Sequence, residues 1–283
     1  MEIHPFDGPL GADVTEVDLA AIGDADFERL YQGWLDHGVL RIRDQHGLDD
    51  AGLERFSARF GPLEEIPVKL PPDVKAKLPS LYVTAISNIE VGGKPIGGLG
   101  NAEANWHSDM TYTPSPPPAS VLLAIEIPKS GGDTQFACQC AALEAVPEPL
   151  RKRLEGKRIK HDASRTSVGE VRTGFEGIED PRETPGAKHP VILPHPETGR
   201  DALFLGRREY AYVDGLPLTE SEALLDQVWA YAALPENVWT QHWHERDVVI
   251  WDNRRVLHRR DGFDAGSRRL LKRCQVLARE EAR

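Results

Sequence analysis

A short apolar run near the middle of the chain, ASVLLAIEIP at 119–128, places the strongest constraint on the fold. It is predicted to be a buried strand closed by the turn KSGGD at 129–133. Two further strand-like runs, DVVIWDNR at 247–254 and RRLLKRCQVLA at 268–278, lie at the end of the sequence. Helical patterns are confined to the N-terminal part and to insertions. We therefore predict a mainly β protein with helical decoration, a β-sandwich or jelly roll.

The helical segments are identified by apolar periodicity and by capping residues. The segment ADFERLYQGWLDHG carries four apolar residues at the spacing of one helix face, namely Phe27, Leu30, Tyr31 and Trp34. A second helix, LDDAGLERFSARFG, is predicted to begin at a cap formed by Asp49 or Asp50. Another is expected around 142–156. The segment LTESEALLDQVWAYAA predicts a helix opened by a capping box of Thr219 and Glu222.

The organisation of the chain indicates a single domain spanning 1–283, because neither an internal repeat nor a linker interrupts it. One segment stands apart: residues 162–188 show no period and are rich in glycine, proline and charged residues. A loop of this length inside a compact domain is either disordered or functional, and is often a lid. We expect a substrate-covering loop at 162–188.

Composition excludes several function classes. The net charge of −11 argues against general affinity for nucleic acid or anionic membranes, so a bound anion must be held by a few placed cations. No apolar stretch approaches the length of a membrane span, and the first residues lack the pattern of a signal peptide. The three cysteines, Cys138, Cys140 and Cys274, form no C-x-x-C pair and are predicted to be core thiols. The expected location is the cytoplasm.

A candidate metal site begins with NWHSDMTY at 105–112, where His107 and Asp109 are two residues apart. On a strand such residues point the same way and can converge on one metal. The ten histidines of the chain offer several candidates for a third ligand, and His258, in VVIWDNRRVLHRRD after a strand and a turn, has the best context. Two histidines and one carboxylate leave one face of an octahedral metal open, as in non-haem Fe(II) oxygenases. The spacing alone is equally compatible with surface or capping residues.

Five motifs in order strengthen this hypothesis. They are NWHSDMTY, PKSGGDTQF, HPETGRDALFLGR, VVIWDNRRVLHR and RRLLKR, and the N-terminal GADVTEVDL and FSARFGPLE fit as well. Together they span nearly the whole chain. The sequence resembles the taurine dioxygenase / dichlorophenoxyacetate dioxygenase family of Fe(II)- and 2-oxoglutarate-dependent oxygenases.

The resemblance implies a double-stranded β-helix (jelly roll) core, with His107, Asp109 and His258 as the Fe(II) ligands and catalytic centre. It further implies that Thr134 and Arg269 hold the far carboxylate of 2-oxoglutarate, and a guanidinium is suited to that role. The implied reaction uses O2 to hydroxylate or desaturate a C–H bond of a small organic acid, releasing succinate and CO2. Related halogenases lack the carboxylate ligand, so Asp109 favours hydroxylation or desaturation.

The substrate contact is predicted from the last strand. There Arg269, Leu271 and Arg273 share one face, so Arg273 should also point into the barrel and require an anionic partner. An internal acid such as Glu103 is one candidate for that partner. The resemblance implies instead that Arg273 grips the anionic group of the substrate. The segment EEIPVKLPP, at the position of other substrate contacts in relatives, offers only Ile66 and Lys69, which argues against taurine itself.

Competing functions are a non-catalytic jelly-roll binding module and a cupin-like metal lyase or isomerase. The first would not need Thr134, Arg269 and a complete triad together, and the second would not need a 2-oxoglutarate clamp. A nucleic-acid demethylase is disfavoured by the acidic charge. The expected partner is a small anionic organic substrate, with no nucleic acid and no membrane. Homo-oligomerisation stays open.

Overall fold

The computed structural model of this protein describes residues 1–66, 72–76 and 78–279. Among these residues the helices are α1 (Asp24–His37), α2 (Asp50–Ser57), α3 (Pro72–Lys75), α4 (Gln139–Ala145), α5 (Glu148–Leu154) and α6 (Leu218–Ala232). The strands are β1 (Glu2–Pro5), β2 (Ala12–Thr15), β3 (Val39–Ile42), β4 (Thr84–Ser87), β5 (Glu90–Val91), β6 (Lys94–Pro95), β7 (Gly98–Leu99), β8 (Ala104–His107), β9 (Ala119–Glu126), β10 (Thr134–Cys138), β11 (Arg158–Lys160), β12 (Lys188–Pro190), β13 (Ile192–Pro194), β14 (Asp201–Leu203), β15 (Tyr212–Val213), β16 (Val238–Gln241), β17 (Val248–Asp252), β18 (Val256–Arg260) and β19 (Leu270–Val276).

The apolar run at 119–128 forms β9, which lies inside the largest sheet. Within the described residues this sheet has eight strands in the order β1-β2-β3-β17-β9-β19-β4-β7, and β9 pairs antiparallel with both β17 and β19. Alternate residues of β9 point to opposite faces. Val121 and Leu123 join one apolar cluster, whereas Leu122 and Ala124 join another. The run is continuously apolar because both faces of the strand are covered.

Two N-terminal helices cover one face of the large sheet. The predicted apolar face of α1 is confirmed, since Phe27, Leu30 and Trp34 are buried in the same cluster as Val121 and Leu123 of β9. The helix ends at Gly38, which adopts a left-handed conformation with a φ of 74°. The side chain of Asp49 accepts a hydrogen bond from the Gly52 amide at 2.7 Å, so the predicted cap of α2 is confirmed at Asp49.

The other face of the large sheet packs against a second sheet. That sheet has the order β16-β10-β18-β8 among the described residues. One apolar cluster joins the two sheets, with Phe136 contributed by β10, Trp251 by β17 and Leu271 by β19. Helices α4, α5 and α6 cover the outer side of the second sheet. The prediction of a mainly β protein with helical decoration is confirmed.

Two local predictions are wrong. The helix expected around 142–156 is divided into α4 and α5, because Pro147 has an extended backbone and cannot continue a helix. Helix α6 begins at Leu218, so Thr219 lies within its first turn and no side-chain capping bond forms. The three cysteines are buried and free, as predicted. Across the described parts of the chain, no helix combines the length and apolar character needed to cross a membrane.

Candidate metal centre and pocket

The predicted triad comes together between the two sheets. One ligand atom from each of His107, Asp109 and His258 lies within 4.8 Å of the others. Nε2 of His107 is 3.7 Å from Oδ1 of Asp109, and Nε2 of His258 is 3.9 Å from the same oxygen. Strands β8 and β18 pair so that His107 and His258 face each other, with ring centroids 4.1 Å apart. Three donors therefore converge on one point.

Only the two histidines of the triad lie on strands. Strand β8 ends at His107, so Asp109 lies in the following turn rather than two positions along a strand. His258 was expected at a loop end but is the central residue of β18. The two histidines are thus fixed by cross-strand pairing, while the carboxylate is positioned by contacts of its own.

Protonation states in the triad suit a metal. Nδ1 of His107 lies 2.7 Å from the carbonyl oxygen of Asn105, and a carbonyl can only accept, so Nδ1 carries the proton and Nε2 keeps a free lone pair. Burial, reinforced by the charge of His107, lowers the pKa of His258 to about 3. Burial opposes ionisation of Asp109, but Arg273, the two histidines and the Ser120 hydroxyl outweigh it and lower its pKa to about 2. Two neutral imidazoles and one carboxylate therefore face the centre.

Asn253 holds the turn that carries Asp109. Its side-chain oxygen accepts from the Asp109 amide at 2.7 Å, and its Nδ2 donates to the carbonyls of Asp109 and Pro117, each at 2.9 Å. Ser120 adds a hydrogen bond from its hydroxyl to Oδ2 of Asp109 at 3.0 Å, which leaves Oδ1 directed at the histidines. Asn253 thus fixes the position of Asp109 through its backbone.

We expect Asn253→Ala to lower the free energy of unfolding by about 3 kcal/mol, because it leaves three buried backbone groups without hydrogen-bond partners. Affinity for Fe(II) should also fall, roughly tenfold, since Asp109 would lose its fixed position. Chemical denaturation and metal titration measure the two effects. Asn105→Ala is the control: it removes an exposed amide bonded to Glu209 and keeps the carbonyl that His107 uses. Equal behaviour of the two variants would contradict the role of Asn253.

A cationic end of the pocket contains Thr134 and Arg269, which are 5% and 2% exposed. The indole of Trp243 donates to Oγ1 of Thr134 at 3.0 Å, so the threonine hydroxyl keeps its own proton free to donate. Nη2 of Arg269 donates to the Gly132 carbonyl at 3.2 Å, whereas its Nε has no partner among the described residues. Burial, together with Arg260, lowers the pKa of Arg269 to about 9.

Sequence reasoning missed Arg260, which lines the same end of the pocket. It pairs across β18 and β10 with Thr134 and is 6% exposed. Nη2 donates to the carbonyls of Leu99 and Ala102, while Nε and Nη1 have no partner within the described chain. The available signal was its position two residues after His258, which places both on one face of a strand. That signal was not used because the segment VLHRR, which forms β18, was not predicted to be a strand.

Arg273 also lines the pocket, with Nη1 3.6 Å from Oδ1 of Asp109. The predicted alternation of the last strand holds, since Lys272 points to the other side and contacts Asp50. The suggestion of Glu103 as an internal partner is wrong, because Glu103 is exposed and lies 3.4 Å from Arg259. Glu103 lies immediately before β8, at the surface.

The acidic segment after FSARFG gives a mixed result. Glu64, which was not singled out in the sequence, lines the pocket, and burial raises its pKa. Ile66 is absent from the lining formed by the described residues, and its amide donates to the Leu81 carbonyl at 2.7 Å. Lys69 lies outside the described residues.

These groups share one cavity of about 420 Å³. The segment 162–188 runs as turns between β11 and β12, and four of its residues reach the cavity wall. The polar and charged side chains of the lining are Glu64, Thr84, His107, Ser108, Asp109, Thr111, Tyr112, Thr134, His161, Asp162, Thr166, Ser167, Arg172, Arg207, His258, Arg260, Arg269 and Arg273. A facial triad beside a buried cationic recess is the arrangement of a non-haem metal oxygenase.

Comparison with known proteins agrees with this class. A model of the family described as "Taurine catabolism dioxygenase TauD, TfdA family" matches residues 2–275. An (S)-phenoxypropionate/alpha-ketoglutarate-dioxygenase from Sphingobium herbicidovorans is 32% identical over 287 residues, covering 95% of this chain and 92% of that protein. An alpha-ketoglutarate-dependent 2,4-dichlorophenoxyacetate dioxygenase from Cupriavidus pinatubonensis is 33% identical over 288 residues, covering 97% and 96%. The chain belongs to the TauD/TfdA family.

Solved structures give the same result. A taurine dioxygenase from Burkholderia xenovorans superposes with a TM-score of 0.77 at 28% identity, covering 98% of this chain and 89% of that one. AAD-2, in complex with Mn(II) and N-oxalylglycine, shares the fold with a TM-score of 0.79 at 23% identity, covering 100% and 99%. The family and the dioxygenase class predicted from the sequence are confirmed.

Proposed function

We propose that this protein is an Fe(II)- and 2-oxoglutarate-dependent dioxygenase that hydroxylates or desaturates a C–H bond of a small organic acid. The observation that carries the proposal is the convergence of His107, Asp109 and His258 in a cavity that also contains Thr134 and Arg269. In this proposal the two facing sheets are the double-stranded β-helix of one domain over 1–283. The segment 162–188 covers the bound substrate, and the protein works in the cytoplasm.

Each group at the site has a role that its chemistry supports. His107, Asp109 and His258 hold Fe(II), a set of nitrogen and oxygen donors suited to that metal. Bound Fe(II) would supply activation of O2 coupled to decarboxylation of 2-oxoglutarate to succinate and CO2. Arg269 and the free hydroxyl proton of Thr134 bind the far carboxylate of 2-oxoglutarate. Arg260 stands beside them and adds a second guanidinium.

An organic acid as substrate is supported by Arg273 and by relatives whose names specify phenoxypropionate and 2,4-dichlorophenoxyacetate. Arg273 lies on the metal side of the cavity, next to Asp109. It binds the anionic group of the substrate and so directs a nearby carbon toward the metal. A binding module or a cupin-like lyase is not favoured, because the named relatives are dioxygenases.

The proposal is tested by measuring succinate released from 2-oxoglutarate with a panel of small organic acids. We expect Arg273→Ala to lower kcat/KM for the accepted acid by about ten- to a hundredfold, since a charge-assisted hydrogen bond is lost, and to leave the KM for 2-oxoglutarate unchanged. Lys272→Ala, on the opposite face of the same strand, is the control and should retain activity. An unchanged kcat/KM for the accepted acid in Arg273→Ala would contradict the assignment of Arg273.

A further inference from the structure

A second cationic region lies on the loop side of the cavity, formed by Arg172 and Arg207. Nη2 of Arg207 donates to the carbonyls of Asp162 and Arg165, at 3.2 and 2.9 Å, and its Nε has no partner among the described residues. Nη1 of Arg172 donates to the Tyr112 hydroxyl at 3.2 Å, and its guanidinium lies 4.7 Å from the centre of that ring. Both arginines thus contact neutral groups.

The two carboxylates near this pair, Asp162 and Glu209, accept hydrogen bonds from other groups. The oxygens of Asp162 accept from the amide and hydroxyl of Ser164, the amide at 2.9 Å, and face Nζ of Lys160 at 3.3 Å. Oε1 of Glu209 accepts from Nδ2 of Asn105 at 2.8 Å, and its Oε2 has no hydrogen-bond partner among the described residues. Within the described chain neither Arg172 nor Arg207 forms an ion pair, although both are partly buried. A partly buried guanidinium in this state is stabilised by an anionic ligand.

Charge across the whole cavity leads to the same conclusion. Five arginines line it, against the three carboxylates of Glu64, Asp109 and Asp162, and just outside the lining the charge of Lys160 beside Asp162 is balanced by that of Glu209 near Arg207. A bound divalent metal and a dianionic 2-oxoglutarate cancel each other, so two positive charges remain. The histidines add none, because His107 and His258 bind the metal as neutral imidazoles and burial lowers the pKa of His161 to about 3. A monoanionic substrate leaves one of these charges uncompensated in a poorly solvated space, and a dianionic one compensates both.

We propose that the substrate is a small dicarboxylic acid, with one carboxylate on Arg273 and the second on Arg172 and Arg207. The inference rests on the function proposed above and narrows its substrate class. Two adjacent guanidiniums suit a carboxylate, because each presents parallel N–H donors to its oxygens. Since Arg172 belongs to the segment 162–188, the second carboxylate also links the substrate to that loop.

The test is calorimetric titration of the protein loaded with Mn(II) and N-oxalylglycine, so that the metal and 2-oxoglutarate sites are filled and turnover is absent. The probes are dicarboxylates from glutarate to azelate, each compared with the monocarboxylate of the same length, from pentanoate to nonanoate. We expect one dicarboxylate to bind roughly ten- to a hundredfold more tightly than its partner, the effect of one charge-assisted interaction. Arg172→Gln should remove most of this preference, and Arg172→Lys should keep part of it.

Arg182→Gln is the matched control, because the exposed Arg182 lies on the same loop, pairs with Asp180 and is not part of the cavity wall formed by the described residues. It should keep the preference for the dicarboxylate. Equal binding of the two series, a preference that survives in Arg172→Gln, or no binding by either series overturns the inference. Formation of the Fe(II)–2-oxoglutarate complex is measured without these acids, so failure of the inference is distinguished from failure of the proposed function.

Discussion

Replacing His258 with alanine should lower the affinity for Fe(II) by at least about a hundredfold and abolish 2-oxoglutarate turnover. The expected size follows from the loss of a whole ligand, since even outer partners of metal ligands are worth about ten- to a hundredfold. His258 is 8% exposed and its ring lies against that of Trp251, with centroids 4.9 Å apart, so no other described side chain replaces it without rearrangement. His107→Ala should behave in the same way.

The measurement is anaerobic titration of Fe(II) into the purified variant, with the melting temperature as a check on folding. His46→Ala is the control, because this imidazole is exposed and is not part of the cavity lining formed by the described residues. Binding of Fe(II) by folded His258→Ala with the affinity of the wild type would show that the metal is held elsewhere.

Arg269→Ala should separate binding of the cosubstrate from binding of the metal. We expect Fe(II) affinity to be retained and the KM for 2-oxoglutarate to rise by about ten- to a hundredfold, because a buried charge-assisted pair is lost. Arg260 remains in the variant and should prevent complete loss. Arg269→Lys keeps the charge without the planar fork and should give an intermediate KM.

Steady-state kinetics of 2-oxoglutarate consumption measure this effect. Arg268→Ala is the matched control, since the neighbouring arginine is exposed and paired with Glu126 at 2.6 Å. Unchanged 2-oxoglutarate kinetics in Arg269→Ala would mean that another arginine binds the far carboxylate, and Arg260 would then be the first candidate.

Predictions from the sequence succeeded where a short pattern decides the outcome. The apolar run of β9 and the apolar face of α1 predicted the sheet and its helical cover, and both are present. Spacing suggested His107 and Asp109, and local context suggested His258. The order of the five motifs then separated this triad from surface or capping residues, which spacing alone could not do. The motifs are informative because all five occur together and in the order found in the family.

Contacts between distant parts of the chain could not be predicted from the sequence. The grip of Asn253 on Asp109 joins residues 144 positions apart, and a turn-forming asparagine gives no sign of its partner. Arg260 was missed because β18 follows β17 after a short turn, and only two of its five residues, Val256 and Leu257, are apolar. Arg172 lines the same cavity as Arg207 only because of the path that an aperiodic loop takes. No periodicity encodes that path.

The central claim, that this chain binds Fe(II) and 2-oxoglutarate together, is tested most directly by visible spectroscopy under anaerobic conditions. Addition of Fe(II) and 2-oxoglutarate to the wild-type protein should produce the weak charge-transfer band of the iron–keto-acid chelate. The band should require both additions and be absent from His258→Ala. If the folded wild-type protein gives no band, and no succinate forms from 2-oxoglutarate when air and the acid panel are supplied, the account is contradicted.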